Sequence, residues 1–142
     1  MLFRSNELSE GTQGVLADES PYDFNIETNG TIIPSFHRDN VWFTYDYKTP
    51  SSLAEESMDL DIFKVSTRQD LIKFVVGSVE DLDCMHRIIN EHPTKAQIYV
   101  SPVWGKIEAA SIIDYMKTYN LQNVRFQLQI HKFVWDPDAK GV

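Results

Sequence analysis

The chain has 142 residues, 42% of them hydrophobic and 24% charged, proportions that suit one soluble domain around a single core and leave no room for an independent second module. No apolar run approaches the roughly 20 residues needed to cross a bilayer, and the first residues lack the basic, apolar and small-residue sequence of a secretory leader, so a cytoplasmic protein is expected. A formal net charge of -8 argues against a broad electrostatic grip on nucleic-acid phosphates and directs attention to small-molecule ligands.

Residues 1–21 show little sustained periodicity and contain Gly11 and Gly14, which weaken a long helix, so this stretch reads as a poorly ordered lead-in. The remainder, 22–142, reads as one α/β unit. YDFNIE alternates large apolar and polar side chains before the Asn29-Gly30 turn signal, and VWFTYDY over 41–47 is rich in aromatic and β-branched residues. Both predict strands. PSSLAEESMDL follows as a polar loop or lid, and LIKFVVG over 71–77 reads as a buried strand.

Ser78, with Asp81 three residues on, forms a helix-start signal. Leu82, Met85, Ile88 and Ile89 recur at three- and four-residue spacing, which predicts a helix over 79–91 ended by His92-Pro93. QIYVSP over 97–102 predicts the next strand, and Ile112, Ile113 and Met116 mark a second amphipathic helix over 108–119 with Asn120 as its stop. NVRFQLQIHKFVW is expected as a final strand with an extended tail. Strands alternating with helices favour a mainly parallel sheet, and about five strands with two helices are too few for a closed eight-stranded barrel. The expected fold is therefore an open or partial (β/α) barrel.

Ligands of such sheets gather at the carboxyl ends of the strands, where the following loops converge. Asp46 and Lys48, two apart on one strand, share a face and set a carboxylate beside an ammonium. Such a pair can grip the charged end of an amino acid, or it can be an ordinary surface ion pair. Glu27 and Thr28 offer oxygens for a cation or hydroxyl, or form a solvated strand end. Strand parity would put Gln127, Gln129 and His131 on one face, with His131 either a substrate hydrogen-bond donor or acid-base group, or a structural histidine. Trp104 could stack on a ligand or cover a core edge. His37, His86 and His92 lack metal-ligand spacing, and no metal site is assigned. Cys84 is the only cysteine, so a three-thiolate iron-sulfur cradle cannot come from this chain, and its thiol reads as a small buried group in preference to a nucleophile.

Five segments in order, IETNGT, FTYDYKTPSS, IKFVVGSVED, YVSPVWGKIE and VRFQLQIHKFVWDPDAKGV, resemble the distal half of 7-carboxy-7-deazaguanine synthases. The resemblance implies a fragment of a radical S-adenosylmethionine barrel. Its relatives use a [4Fe-4S] cluster, S-adenosylmethionine and Mg2+ to convert 6-carboxy-5,6,7,8-tetrahydropterin to 7-carboxy-7-deazaguanine, a carbon-nitrogen lyase step on the way to queuosine and related deazapurines. It further implies that Asp46, Tyr47 and Lys48, with Glu27 and Thr28 beside them, contact S-adenosylmethionine, and that Gln129, His131 and the carboxylate of Val142 face the pterin. Family enzymes are commonly homodimers.

The family's CxxxCxxC loop, the nearby hydroxyl residue that helps hold magnesium and the GGEP strand have no counterpart here. Leu53 also replaces the glycine that commonly follows PSS, which predicts loss of a positive-φ conformation in that loop. The chain alone is therefore expected not to generate the radical. It reads as a truncated enzyme missing its amino-terminal half, with two alternatives: a non-catalytic pterin-binding or split-enzyme partner module, and an inert remnant with an exposed sheet edge.

Overall fold

A computed structural model describes residues 2–4 and 21–137. Apolar and polar residues alternate along Phe24–Thr28 (β2), Val41–Tyr47 (β3) and Leu71–Val76 (β4), and the buried positions alternate with them. This period of two gives each strand one covered and one open face. Gln97–Pro102 (β5) and the short Val124–Phe126 (β6) continue the sheet, and Leu2–Arg4 (β1) pairs along the outer edge of β2. All neighbours are parallel and the strand order is sequential from β1 to β6. The α/β expectation holds, and a strand at 2–4 is added to it within a stretch that carries no strand periodicity. The rest of the expected lead-in lies outside the described residues.

Helices cover one face. Val79–Glu91 (α2) starts at Ser78, whose side chain accepts a hydrogen bond from the Asp81 amide, and Glu80 and Asp81 sit in its first turn. An N-cap oxygen satisfies an orphan amide, and acidic residues there complement the helix dipole. Leu82, Met85, Ile88 and Ile89 are all buried, as their spacing requires. Ala109–Thr118 (α3) adds Ile112 to the same core, and Asn120 adopts φ 54 just beyond its end. Ile62–Val65 (α1), just after the polar loop read over 50–60, buries Ile62 and Phe63. These residues pack on Phe24, Ile26, Phe43, Tyr45, Ile72, Phe74, Ile98 and Val100 in one core.

Two sequence expectations are corrected here. LIKFVVG is fully buried on one face only: Ile72, Phe74 and Val76 are buried, while Leu71, Lys73 and Val75 on the other face are half-buried. The last strand stops at Phe126, and residues His131–Val134 form a short helix (α4). β5 ends at Pro102, which has no N–H to extend the ladder. The Gln127 amide makes one more bond to the Val100 carbonyl, and the Gln127 carbonyl takes the Ser101 hydroxyl at 2.8 Å.

At the start of β4 the buried Asp70 carboxylate accepts from the Phe43 amide at 2.8 Å and from the amide and hydroxyl of Thr67. Beside it, Tyr45 is fully buried, and among the described residues its hydroxyl makes no well-formed hydrogen bond, with the Ser66 hydroxyl its nearest side-chain partner. Burial, and next the Asp70 charge, raise its pKa well above the ordinary phenol value. Leaving a buried hydroxyl unpaired is unfavourable by about 1–3 kcal/mol. Tyr45→Phe should therefore raise the urea midpoint, with a gain of about 1 kcal/mol in unfolding free energy; a loss of stability would show that the hydroxyl is satisfied in solution.

Candidate functional site

Parallel register decides which side chains meet on the open face. Glu27 pairs with Thr44, Asp46 with Lys73, Lys73 with Tyr99, and Tyr99 with Arg125. Adjacent strands lie about 4.8 Å apart and successive same-face residues about 6.6 Å apart. Asp46 is thus flanked by two ammonium-bearing residues, Lys48 just past the end of its own strand and Lys73 on the next. Arg125 donates to Gln97 at 2.6 Å and to the Tyr99 hydroxyl at 3.2 Å, closing the far side of the polar row.

Of the residues singled out in the sequence, Glu27, Asp46 and Lys48 share this open face. Thr28 and Tyr47 turn to the covered face, as strand alternation demands. Thr28 is 5% exposed and its hydroxyl oxygen accepts from the Gly30 amide, while Tyr47 packs on Phe63 and Phe74. Glu27 and Thr28 therefore cannot aim their side-chain oxygens at one cation. Gln129 and His131 fall in the turn and first residue of α4, so the strand parity that joined them to Gln127 does not apply. Val142 lies outside the described residues. Trp104 meets Phe133 edge to face at 4.8 Å, which seats α4 against the loop after β5. Lys73, Tyr99 and Arg125 were missed; the signal available was a polar residue at every second position of the middle strands.

The rim loop is built by short polar ties. The Thr49 hydroxyl donates to the Val75 carbonyl at 3.2 Å, and Ser52 donates back to Thr49 at 2.6 Å. Asp81, fully buried, accepts from the Gly77 amide at 2.7 Å and the Ser51 amide at 2.9 Å. Burial alone would raise its pKa, but those two amides, with the Ser51 and Thr49 hydroxyls, outweigh it and hold the carboxyl below its ordinary value. A cleft of about 270 Å3 results, lined by Asp46, Lys48, Thr49, Ser51, Val75 and Val103 among others. Leu53 keeps φ 56, so the positive-φ conformation persists despite the loss of glycine. Its side chain is 96% exposed and contributes no burial in return.

Cys84 is 5% exposed and donates to Glu55 at 3.1 Å. Burial first, then the hydrogen bond and charge of Glu55, push its thiol up to about 12, which keeps it protonated and unsuited to ligate iron. Among the described residues no three His, Cys, Asp or Glu side chains cluster as a metal site, and no helix is long and apolar enough to cross a membrane.

A sequentially ordered parallel sheet, with helices on one face and polar residues on the other among the described residues and a cleft at the strand carboxyl ends, defines an open α/β fold. No family profile matches the chain. Its sequence is nevertheless related to 7-carboxy-7-deazaguanine synthases: it is 41% identical to that of Clostridium acetobutylicum over 90% of this chain and 60% of the relative. It is 37% identical to that of Methanospirillum hungatei over 80% and 47%, and 32% identical to that of Chlorobaculum tepidum over 95% and 64%. The chain thus spans about half to two thirds of the length of these relatives.

Three outcomes test the rim. Asp81→Ala should destabilise the fold by about 3 kcal/mol, because two amides lose a buried charged acceptor. Since the folded pKa is depressed, the contribution of Asp81 is present above its unfolded value near pH 4 and is lost as pH falls through the lower folded value. The gap in urea midpoint between the parent and Asp81→Asn should accordingly narrow progressively as pH falls below the ordinary aspartate value of about 4. Leu53→Gly should stabilise by about 0.5–1 kcal/mol through relief of the left-handed backbone, read in the same titrations; an unchanged midpoint would mean the strain is absent.

Proposed function

We propose that this chain is the ligand-holding part of a 7-carboxy-7-deazaguanine synthase of the radical S-adenosylmethionine type, its sheet forming part of a (β/α) barrel. The observation that carries this reading is the common open face of Glu27, Asp46 and Lys48 at the carboxyl ends of adjacent strands. A zwitterionic amino-acid end presents an ammonium and a carboxylate, and Asp46 and Lys48 offer the complementary charges side by side. S-adenosylmethionine carries such an end and, when bound with a reduced cluster, supplies a radical that removes hydrogen from the substrate. Glu27 lies beside them on the cofactor side, and the Lys73–Tyr99–Arg125 row faces the pterin side, where ammonium and guanidinium groups suit its carboxyl group.

The [4Fe-4S] cluster does not fit this chain. Its one cysteine is buried, protonated and hydrogen-bonded to Glu55 on the helix-covered side, and Glu27 and Thr28 diverge too far to hold magnesium together. This observation favours a reading in which the chain binds ligands and the thiolates come from elsewhere. In that arrangement Asp46 and Lys48 orient the cofactor, the tied loop 49–52 shields it, and the conversion of 6-carboxy-5,6,7,8-tetrahydropterin requires the cluster-bearing residues as well.

Calorimetry of the folded chain with S-adenosylmethionine and with 6-carboxytetrahydropterin tests this. Binding of S-adenosylmethionine should weaken about tenfold or more in Lys48→Ala and in Asp46→Ala, the loss of one charge-assisted contact each. Absence of heat for both ligands, or equal affinity in the variants, would remove the ligand-holding role.

A further inference from the structure

A second concave site lies at the opposite end of the strands. The segments leading into β3, β4 and β5 enclose a cleft of about 590 Å3 whose lining includes His37, Arg38, Lys64, Arg68 and Lys95. This volume falls within the range of small-molecule sites. Four of the chain's 13 Lys and Arg line it, against one of its 21 Asp and Glu, Asp39. In a chain of net charge -8, gathering cations from three separate segments opposes their mutual repulsion and calls for a counter-charge.

That counter-charge is only partly internal. Lys64 pairs with Asp61 at 2.6 Å, and Arg38 has interactions of its own, so neither is counted as a free charge. Asp70 lies behind Thr67, but its oxygens are taken by Phe43 and Thr67. The Arg68 and Lys95 side chains form no ion pair among the described residues, and both residues are exposed at the mouth. A guanidinium fork and an ammonium lining one cleft match the spread charge of phosphate oxygens better than a single carboxylate.

We propose that this amino-end cleft binds a small phosphate-bearing anion, of the size and charge of a diphosphate, separately from the ligands on the open sheet face. S-adenosylmethionine, with its sulfonium cation, is unsuited to it, so the two sites are chemically distinct.

Titration calorimetry of the chain with inorganic pyrophosphate and with ADP reads the site directly. Saturable binding that weakens as salt rises is expected. Arg68→Glu and Lys95→Glu should each lower the affinity about tenfold or more, while Lys117→Glu, an exposed reversal on α3, should leave it nearly unchanged. Urea midpoints confirm that the variants fold, and two independent reversals keep the test open if one does not. Equal affinity for pyrophosphate and ADP identifies a free diphosphate; tighter ADP identifies a nucleoside diphosphate; both support the site. Heat that does not saturate, or equal weakening in all three variants, overturns it, since net charge alone would then explain the attraction.

Discussion

The carboxylate of Asp81 holds together the end of the sheet where the chemistry is proposed. A charge removed from water must be matched by donors, and here the donors come from two places: Gly77 at the end of β4 and Ser51 in the loop after β3. Because Asp81 also belongs to the first turn of α2, its position is fixed by the Ser78 cap. Loop, turn and helix can therefore shift only together. Thr49, tied to Val75, completes the frame on which Asp46 and Lys48 are mounted.

The same logic recurs at the other end, where buried Asp70 supplies the acceptor that the Phe43 amide lacks just before β4 begins. Each end of the β3–β4 pair is thus closed by an aspartate that accepts backbone amides. One rim presents the cleft beside Asp46 and Lys48, and the other presents a basic hollow.

Sequential parallel order puts every connecting helix on one side of the sheet, and this asymmetry explains the distribution of residue types. The covered face is almost wholly apolar, with Phe43, Tyr45, Phe74 and Val100 at its centre. The open face carries Glu27, Thr44, Asp46, Lys73, Tyr99 and Arg125 in lateral rows. A sheet buried on both sides would not retain unpaired lysines mid-strand. Lys73, half-buried beside Asp46, is therefore informative: it marks the polar face of the sheet among the described residues.

Much of this was legible from local pattern. Alternation located β3 and β5 to the residue, three- and four-residue spacing located α2, and Ser78 and Asn120 marked helix ends, because each signal depends on neighbours within one turn or one pleat. The ordered motifs also sufficed to point to the right relatives. Lateral neighbours were not legible, since Asp46 meets Lys73, and Asp81 meets Ser51, across 27 and 30 residues of chain. Nor were the early end of β6, the turn into α4 that removes His131 from the strand face, or the left-handed backbone retained at Leu53. Sequence fixes which face a side chain takes within its own strand, whereas strand register and the partners available at each strand end arise only when the sheet closes on its helices.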